Sequence, residues 1–378
     1  MSSPDNFLPF TRPMIDEETI QGVVAVLRSG WIATGPNVAE LERALSAYVG
    51  GRPVRVFTSA TAALEIALQA CGIGAGDEVI TPAMSFVATA NVITRVGARP
   101  VFVDIEADTR NIDLDAVEAA IGPRTRAIMP VHFAGMPVDM DRLYAIAGKH
   151  GLRVIEDAAH AIGSAWRGRR IGSFGDIICF SFHPNKNMTT IEGGAIVADA
   201  PAELTIIERQ RFHGLVKSAA DQFDATLAGG KSNLTDVAAR VGLGQLARLD
   251  EFNAKRRRLV AHYFERWHGG APVQLPARGD EGHSWHIFAP LLPLARMRMT
   301  RLEFIGAMER RRIGVGVHYP AIHLYSAYRA LGYREGQFPN AERVGRETVT
   351  LPLFPGMEIA DVDRVVNAVE TLIGRAAA

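Results

Sequence analysis

GLRVIEDAAHAIGSAWRGRRIGSFGDIICFSFHPNKNMTTIEGGAIV, residues 151–197, is the stretch of the chain that most constrains its fold. Two apolar runs within it, Leu152–Ile155 and Ile177–Phe180, have the length and residue types of buried β-strands. Asp157 closely follows the first run and Lys186 follows the second. Because open α/β sheets bind ligands at the carboxyl ends of their strands, we expect this carboxylate and this amine to share a site.

Similar apolar runs alternate with helix-length segments from Val54 onward. This alternation predicts an α/β fold with a mostly parallel sheet that helices cover on both faces. The runs Ile177–Phe180 and Ala195–Val197 are too close for a crossover helix, so we expect an antiparallel strand there.

The pattern changes beyond about Asp236, where one long or once-broken helix is predicted. Short strands are then predicted at His286–Leu291 and Gly314–His318, among further helices. We therefore expect a large domain over residues 1–245 and a smaller α+β domain over residues 246–378.

Composition excludes several classes of protein. The 378 residues include 41 Lys and Arg against 41 Asp and Glu, a balance that argues against a nucleic-acid or anionic-membrane footprint. No leader and no membrane span is recognisable, so we expect a cytoplasmic protein. Cys71 and Cys179 lie in apolar runs, which favours buried free thiols over a disulfide.

Lys186 and Asp157 together are what pyridoxal 5'-phosphate (PLP) requires of a protein. The lysine amine would bind the cofactor covalently and later move the proton, and the aspartate would pair with the pyridinium nitrogen. Without this context Lys186 would be read as a lysine of a surface loop, and the alternative reading of Asp157 is a cap of the next helix. Their occurrence in one motif favours the cofactor site.

The motifs VIEDAAHAIG and FSFHPNKNMTTIEGGA resemble those of the sugar aminotransferase family. These are PLP enzymes of the aspartate aminotransferase fold that make amino sugars on nucleotide carriers. The likeness runs over nearly the whole chain and is nearest to the enzymes that aminate a UDP-linked 4-keto pentose, the UDP-4-amino-4-deoxy-L-arabinose–oxoglutarate aminotransferases. The resemblance implies a homodimer with glutamate and 2-oxoglutarate as donor and co-product, and a nucleotide-sugar substrate.

The phosphate of such a cofactor has a candidate site at Ser59, Ala60 and Thr61, where a predicted strand meets a predicted helix. A helix N-terminus with free amides and hydroxyls binds anions, and an ordinary helix cap is the alternative reading. Many family members have glycine where this chain has Ala60. Ser181, shortly before Lys186, offers a further hydroxyl.

Two ring-bearing residues are candidates for contact with the cofactor ring. Phe86 follows the predicted strand Val79–Thr81, where an aromatic side chain can stack on a pyridine, although core packing is the alternative. By resemblance, His160 lies near the phenolic oxygen of the ring and tunes it. A packed core histidine is the alternative reading for His160.

The resemblance also implies the residues at the substrate end and at the subunit interface. Asn233 matches an asparagine that reaches the phosphate of the partner subunit, which requires a two-fold homodimer. The residues expected near the substrate are Trp31, Thr34, His183, His286, His318 and Tyr319. No metal site is expected, because Pro320 disfavours the helix that would align His318 with His323. Ile191 stands where many members have glycine, which could alter the turn beside Lys186.

The sequence therefore predicts a PLP-dependent transaminase that acts on a nucleotide-linked ketosugar. Two alternatives stay open at this point. A PLP-dependent sugar dehydratase shares the fold, but that branch has histidine at the position of Lys186. A non-enzymatic regulator on the same scaffold would not need both Lys186 and Asp157.

Overall fold

The computed structural model describes residues 7–219 and 222–377, and helices and strands alternate through it. The helices that accompany the sheet are α1 (Glu17–Ser29), α2 (Pro36–Tyr48), α3 (Ala60–Ala70), α4 (Ala88–Arg95), α5 (Leu114–Ala120), α6 (Met140–His150) and α7 (Pro201–Arg211). Those that follow are α8 (Asp236–Ala247), α9 (Leu249–Arg266), α10 (Arg301–Arg310), α11 (Ser326–Arg329), α12 (Pro339–Glu347) and α13 (Ile359–Ala377). Within residues 7–219 and 222–377, no helix combines the length and apolarity needed to cross a membrane.

A sheet of 7 strands forms the centre of the N-terminal part of the described chain. In chain order the strands are β1 (Val54–Phe57), β2 (Glu78–Pro82), β3 (Arg99–Val103), β4 (Thr125–Ile128), β5 (Arg153–Asp157), β6 (Ala165–Trp166), β7 (Arg169–Arg170), β8 (Ile177–Ser181), β9 (Gly194–Val197), β10 (Leu215–Ala219) and β11 (Gln222–Ala225). The strands β6–β7 and β10–β11 form separate two-stranded pairs.

The spatial order of the central sheet is β1-β9-β8-β5-β4-β2-β3. The pairs from β8 across to β3 are parallel, whereas β9 runs antiparallel to both β8 and β1. The mostly parallel sheet and the antiparallel strand predicted near Ala195 are therefore confirmed. Parallel order brings the carboxyl ends of β2, β4, β5 and β8 to one edge, where the site lies.

Side chains along each strand alternate between two hydrophobic layers, because a strand has a side-chain period of two. In β5, Val154 packs in the layer that contains α2, α5 and α6, and Ile155 packs in the layer that contains α3 and α4. The same alternation directs Glu156 to the α6 side and Asp157 to the α3 and α4 side. The strand therefore delivers two neighbouring carboxylates to opposite faces of the sheet.

The helical region predicted from Asp236 is broken once, at Arg248, into α8 and α9. A further hydrophobic cluster is formed by Leu8 together with residues between Leu259 and Ile373. This cluster gives the C-terminal part of the chain a core of its own. The domain boundary at residue 245 falls near the end of α8 and stays a prediction.

The strands predicted at His286–Leu291 and Gly314–His318 are wrong in detail. The structure has isolated bridges there, Phe288 with Leu351 and Gly316 with Thr350, instead of continuous strands. Pro290 and Pro352 lie within the facing segments and have no N–H to donate, so a regular ladder is interrupted.

Candidate active site

A cavity of about 350 Å³ opens at the carboxyl ends of the central strands. It brings together residues that are far apart in the sequence, from the loops after β1, β2, β5 and β8 and from the C-terminal part. The residues that line it are Ser59, Ala60, Thr61, Leu64, Ser85, Phe86, Ala88, Val131, Asp157, Ala159, His160, Ser181, His183, Asn185, Lys186, Glu192, Gly193, His318 and Tyr319. Most of the residues predicted for the site therefore share one cavity.

Lys186 lies in the turn between β8 and β9, where its backbone N–H donates to the carbonyl oxygen of His183 at 2.8 Å. Burial lowers the pKa of its ammonium to about 8, and the charge of Asp157 opposes that shift. A pKa near 8 leaves a substantial fraction of the amine neutral close to physiological pH. Only the neutral amine is nucleophilic, so this environment prepares Lys186 for covalent chemistry.

Asp157 ends strand β5 and is 5% exposed. Thr89 donates its hydroxyl proton to one carboxylate oxygen at 2.7 Å, and the backbone N–H of Ala159 donates to the other at 3.1 Å. Burial raises the pKa of Asp157, and those hydrogen bonds oppose the shift. In the described part of the chain no arginine or lysine forms an ion pair with it. A buried carboxylate without a cation is costly, so a cationic ring nitrogen fits here.

Glu156 lies on the other face of the sheet and belongs to a buried network. Its two oxygens contact Nε2 of His132 at 2.9 Å and the hydroxyl of Tyr144 at 2.7 Å. The Tyr144 hydroxyl also accepts the backbone N–H of Asp176 at 2.6 Å. These contacts fix the end of β5 and therefore the position of the neighbouring carboxylate of Asp157.

His160 is 4% exposed and lies between the cavity and the C-terminal part. Its Nδ1 accepts the backbone N–H of Ala134 at 3.2 Å, and its Nε2 lies 3.2 Å from the hydroxyl of Tyr319. Burial, with smaller contributions from the charges of Lys186 and His318, lowers the pKa of His160 well below its ordinary value. The imidazole is therefore neutral at physiological pH.

The first turn of α3 forms the opposite end of the cavity. Ser59 caps this helix and accepts the backbone N–H of Ala62 at 3.1 Å. Gly194 of β9 packs so closely on the helix start that a Cβ atom there would lie 2.5 Å from the backbone nitrogen of Ala60. Ser181 at the end of β8 adds a hydroxyl nearby. Amides of a first helical turn together with hydroxyls fit a phosphate group.

Comparison with known proteins identifies the family of this chain. The model of the DegT/DnrJ/EryC1/StrS aminotransferase family matches residues 13–370. The chain belongs to this family. The spore coat polysaccharide biosynthesis protein SpsC of Bacillus subtilis (strain 168) is 40% identical over 380 residues, which cover 98% of each protein.

Solved structures agree with the family assignment. The PLP form of Spr1654 from Streptococcus pneumoniae is 35% identical, covers 98% of this chain and 99% of that one, and has a TM-score of 0.92. DesI, crystallised in the presence of its TDP-sugar product, is 29% identical, covers 100% of this chain and 95% of that one, and has a TM-score of 0.89. The fold of this aminotransferase is thus that of the PLP-dependent sugar aminotransferases, and its cofactor is PLP.

Phe86 of the aminotransferase follows β2 and stands on the cavity wall with 54% of its surface exposed. Its ring centroid lies 5.8 Å from that of Tyr319, at an interplanar angle of 51°. An aromatic side chain that is half exposed inside a cavity has a free face to offer to a flat ligand. Core packing, the alternative reading of Phe86, is therefore wrong.

The mouth of the cavity carries His183 and Glu192. Nδ1 of His183 lies 2.8 Å from the side-chain oxygen of Asn185, and its Nε2 lies 3.7 Å from Glu192. Ile191, the departure from the family pattern, has a φ of 74° and is 50% exposed. A β-branched side chain rarely occupies this left-handed region, which glycine adopts without strain.

Four predicted residues lie outside the cavity lining. His286 is buried behind His160, with a centroid distance of 4.3 Å. Trp31, Thr34 and Asn233 form a separate cluster, in which the indole N–H of Trp31 donates to the carbonyl oxygen of Thr34 at 3.0 Å and Asn233 donates to the Thr34 hydroxyl. Their contacts with ligands stay predictions.

Several residues that shape the site were missed by the sequence reasoning. Thr89 holds Asp157, Ala134 orients His160, and Glu192 lines the mouth. Glu192 stands inside the TTIEGG motif and could have been noticed there. Nothing local to Thr89 or Ala134 signals a role, since each acts on a residue distant in the sequence.

Proposed function

We propose that this aminotransferase transfers the amino group of glutamate to the 4-keto carbon of a nucleotide-linked sugar. The observation that carries the proposal is the occurrence in one cavity of the Lys186 amine, with its lowered pKa, and the buried carboxylate of Asp157, which has no ion-pair partner among the described residues. PLP, when bound, supplies an electron sink that makes the carbon–nitrogen chemistry possible.

The protein's own groups then have defined tasks. Lys186 holds the cofactor and, once released by the amino donor, carries a proton between two carbon atoms, because its amine can be neutral near pH 8. Asp157 keeps the ring nitrogen protonated. The α3 N-terminus with Ser59, Ala60, Thr61 and Ser181 receives the phosphate, and Phe86 covers one face of the ring. His160 stands near the phenolic oxygen of the ring.

Two observations support a nucleotide-linked sugar as the amino acceptor: the names of relatives and the neutral side chains of the cavity. DesI, a relative, was crystallised with a TDP-sugar product, and SpsC is named for polysaccharide biosynthesis. The inner wall also offers neutral imidazoles at His160 and His318, which suit uncharged hydroxyl and carbonyl groups. A UDP-linked 4-keto pentose is the first acceptor to test, and a dTDP- or GDP-linked 4-keto hexose is the next. The product would serve amino-sugar and surface polysaccharide biosynthesis.

The amino donor and the nucleotide bring several negative charges. Among the described residues that line the cavity there is no arginine, and Lys186 is its only lysine. We propose that a second copy of the chain completes the site in a homodimer, with Asn233 reaching the partner's phosphate and Trp31 and Thr34 beside it. Isologous dimers place two such sites symmetrically.

The cellular location is proposed to be the cytoplasm. Cys71 and Cys179 are free thiols, as is usual where the surroundings are reducing. Nucleotide sugars and glutamate would both be available to the enzyme in that compartment.

The test separates the two half-reactions. Purified protein loaded with PLP is mixed with glutamate alone, and its visible absorbance is followed; bleaching is expected. The bleached protein is then mixed with each nucleotide 4-ketosugar, and recovery of absorbance identifies the acceptor. A Lys186→Ala variant is expected neither to be bleached by glutamate nor to regain absorbance with a ketosugar. Bleaching without recovery on any ketosugar would contradict the proposed acceptor class, and absence of bleaching would contradict the proposed donor.

A further inference from the structure

Tyr319 lines the cavity, and its hydroxyl proton has no assigned use. It shares the cavity lining with Lys186, and its ring centroid lies 5.8 Å from that of Phe86. Its hydroxyl oxygen lies 3.2 Å from Nε2 of His160. Which of these two groups donates decides what the phenol can do.

The tautomer of His160 is set by the main chain. The backbone N–H of Ala134 points at Nδ1 of His160 from 3.2 Å, so Nδ1 is an acceptor and carries no hydrogen. The ring is neutral because burial lowers its pKa well below the ordinary value. Its single N–H is therefore on Nε2 and donates to the oxygen of Tyr319.

A second contact keeps the His160 ring in this orientation. His286 packs against it with a centroid distance of 4.3 Å. Nδ1 of His286 donates to the side-chain oxygen of Asn187 at 3.2 Å, because the amide nitrogen of Asn187 donates to Asn253 and to the carbonyl of Ser284. The hydrogen bond to Asn187 fixes the imidazole of His286, and the packing of this ring against His160 fixes the orientation of the His160 ring.

The Tyr319 oxygen consequently accepts from His160, and its own O–H is left as a donor. Among the described residues no acceptor for this proton is present. Burial, together with the charge of Asp157, raises the pKa of Tyr319, so the phenol stays protonated. The result is an O–H donor that His160 orients and that lies on the wall shared with Lys186.

We propose that Tyr319 donates this hydrogen bond to the keto oxygen of the sugar substrate. A donor at that oxygen is most valuable as the amine nitrogen bonds to the carbonyl carbon, because the electron pair of the C=O π bond moves onto the oxygen. This inference rests on the proposed function. It adds a catalytic residue for the step at a keto oxygen, and the loss of visible absorbance with glutamate comes before the corresponding step, the release of 2-oxoglutarate.

The test compares the two half-reactions of Tyr319→Phe, which removes only the hydroxyl. Glutamate should bleach the PLP-loaded variant at a rate within about threefold of the unmodified protein. The ketosugar should restore absorbance about 10- to 100-fold more slowly, the range expected when one hydrogen bond to a charged group is lost. The probe is whichever of the UDP-4-keto pentose and dTDP-4-keto hexose the unmodified protein aminates.

Binding supplies a readout that does not depend on turnover. Calorimetric titration of PLP-free protein with the same ketosugar should give a dissociation constant about tenfold weaker for Tyr319→Phe. Tyr328→Phe is the matched control, since the Tyr328 hydroxyl donates to Asn91 outside the cavity lining. Replacement of Tyr319 with 3-fluorotyrosine, a stronger donor, should keep or tighten binding.

The outcomes separate this inference from the proposed function. If the unmodified protein is not bleached by glutamate, the proposed function fails. If it is bleached and restored, but Tyr319→Phe binds the ketosugar and is restored by it at the unmodified level, the role of Tyr319 is overturned. Equal slowing of both half-reactions in Tyr319→Phe would also overturn it, because that indicates general damage to the site.

Discussion

At the scale of single residues, the carboxylate of Asp157 is the group whose charge the site depends on. Asp157→Asn keeps the shape and the Thr89 contact but removes the negative charge that a ring cation needs. We expect PLP to bind about 10- to 100-fold more weakly, which corresponds to the loss of one hydrogen bond between charged groups. Fluorescence or absorbance titration with PLP measures this affinity.

Thr89→Val is the graded control for that variant. It removes one neutral donor to the same carboxylate and leaves the charge in place, so a loss of only several-fold is expected. Equal affinities for Asp157→Asn and the unmodified protein would contradict the assignment of Asp157 to the ring nitrogen.

The lowered pKa of Lys186 leads to a prediction about pH. Above a pKa of about 8 the amine is neutral and nucleophilic, and below it the ammonium is unreactive. The rate at which PLP-free protein gains visible absorbance after mixing with PLP should therefore rise with pH and level off above about 8. Stopped-flow mixing between pH 6 and 10 measures the rate. A rise centred near 10.5, the ordinary value for lysine, would contradict the effect of burial.

At the scale of elements, β5 is held in register by contacts on the face away from the site. The Tyr144 hydroxyl donates to the fully buried Glu156 and accepts from the backbone of Asp176. Tyr144→Phe leaves both groups short of a partner, and we expect it to lower the free energy of unfolding by about 1–3 kcal/mol. Urea denaturation followed by circular dichroism measures this change.

A control for Tyr144 is available on the surface. The Tyr48 hydroxyl donates to Asp250, a carboxylate accessible to solvent, so Tyr48→Phe should cost less than about 1 kcal/mol. If the two variants lost similar free energies of unfolding, the buried network of Glu156 would not stabilise the fold more than a surface hydrogen bond does.

The sequence predicted the elements that carry the site better than the contacts between them. Strands such as β5 and β8 are short apolar runs with polar ends, so Asp157 and Lys186 could be placed at strand ends by pattern alone. Thr89 and Ala134 could not, because their contacts join residues that meet only after the sheet has formed. The segments His286–Leu291 and Gly314–His318 were predicted as strands because their apolar pattern is strand-like, but they form only isolated bridges with the segment around Leu351, where prolines interrupt the pairing.

At the scale of the whole molecule, the proposed dimer gives each site residues from both chains. A Lys186→Ala subunit paired with an Asn233→Ala subunit would carry one doubly impaired site and one intact site. Each variant alone should be nearly inactive. After the two are unfolded together and refolded, about one quarter of the unmodified activity should return, as random pairing into two-fold dimers requires.

The complementation test has a clear contrary result. If Asn233 acts within its own subunit, no pairing of the two variants creates an intact site, and the mixture stays as inactive as its parents. Sedimentation of the mixture checks that dimers have re-formed. An inactive mixture of dimers would contradict the shared site.

The central claim is that Lys186 is the residue that binds PLP covalently, with Asp157 at the far side of the ring. The most direct test is to load the protein with PLP, reduce it with borohydride, digest it and locate the added mass by peptide mass spectrometry. The account predicts the label on the peptide containing Lys186, and its loss in Lys186→Ala. A label on another lysine, such as Lys231, with Lys186 unmodified would contradict the account.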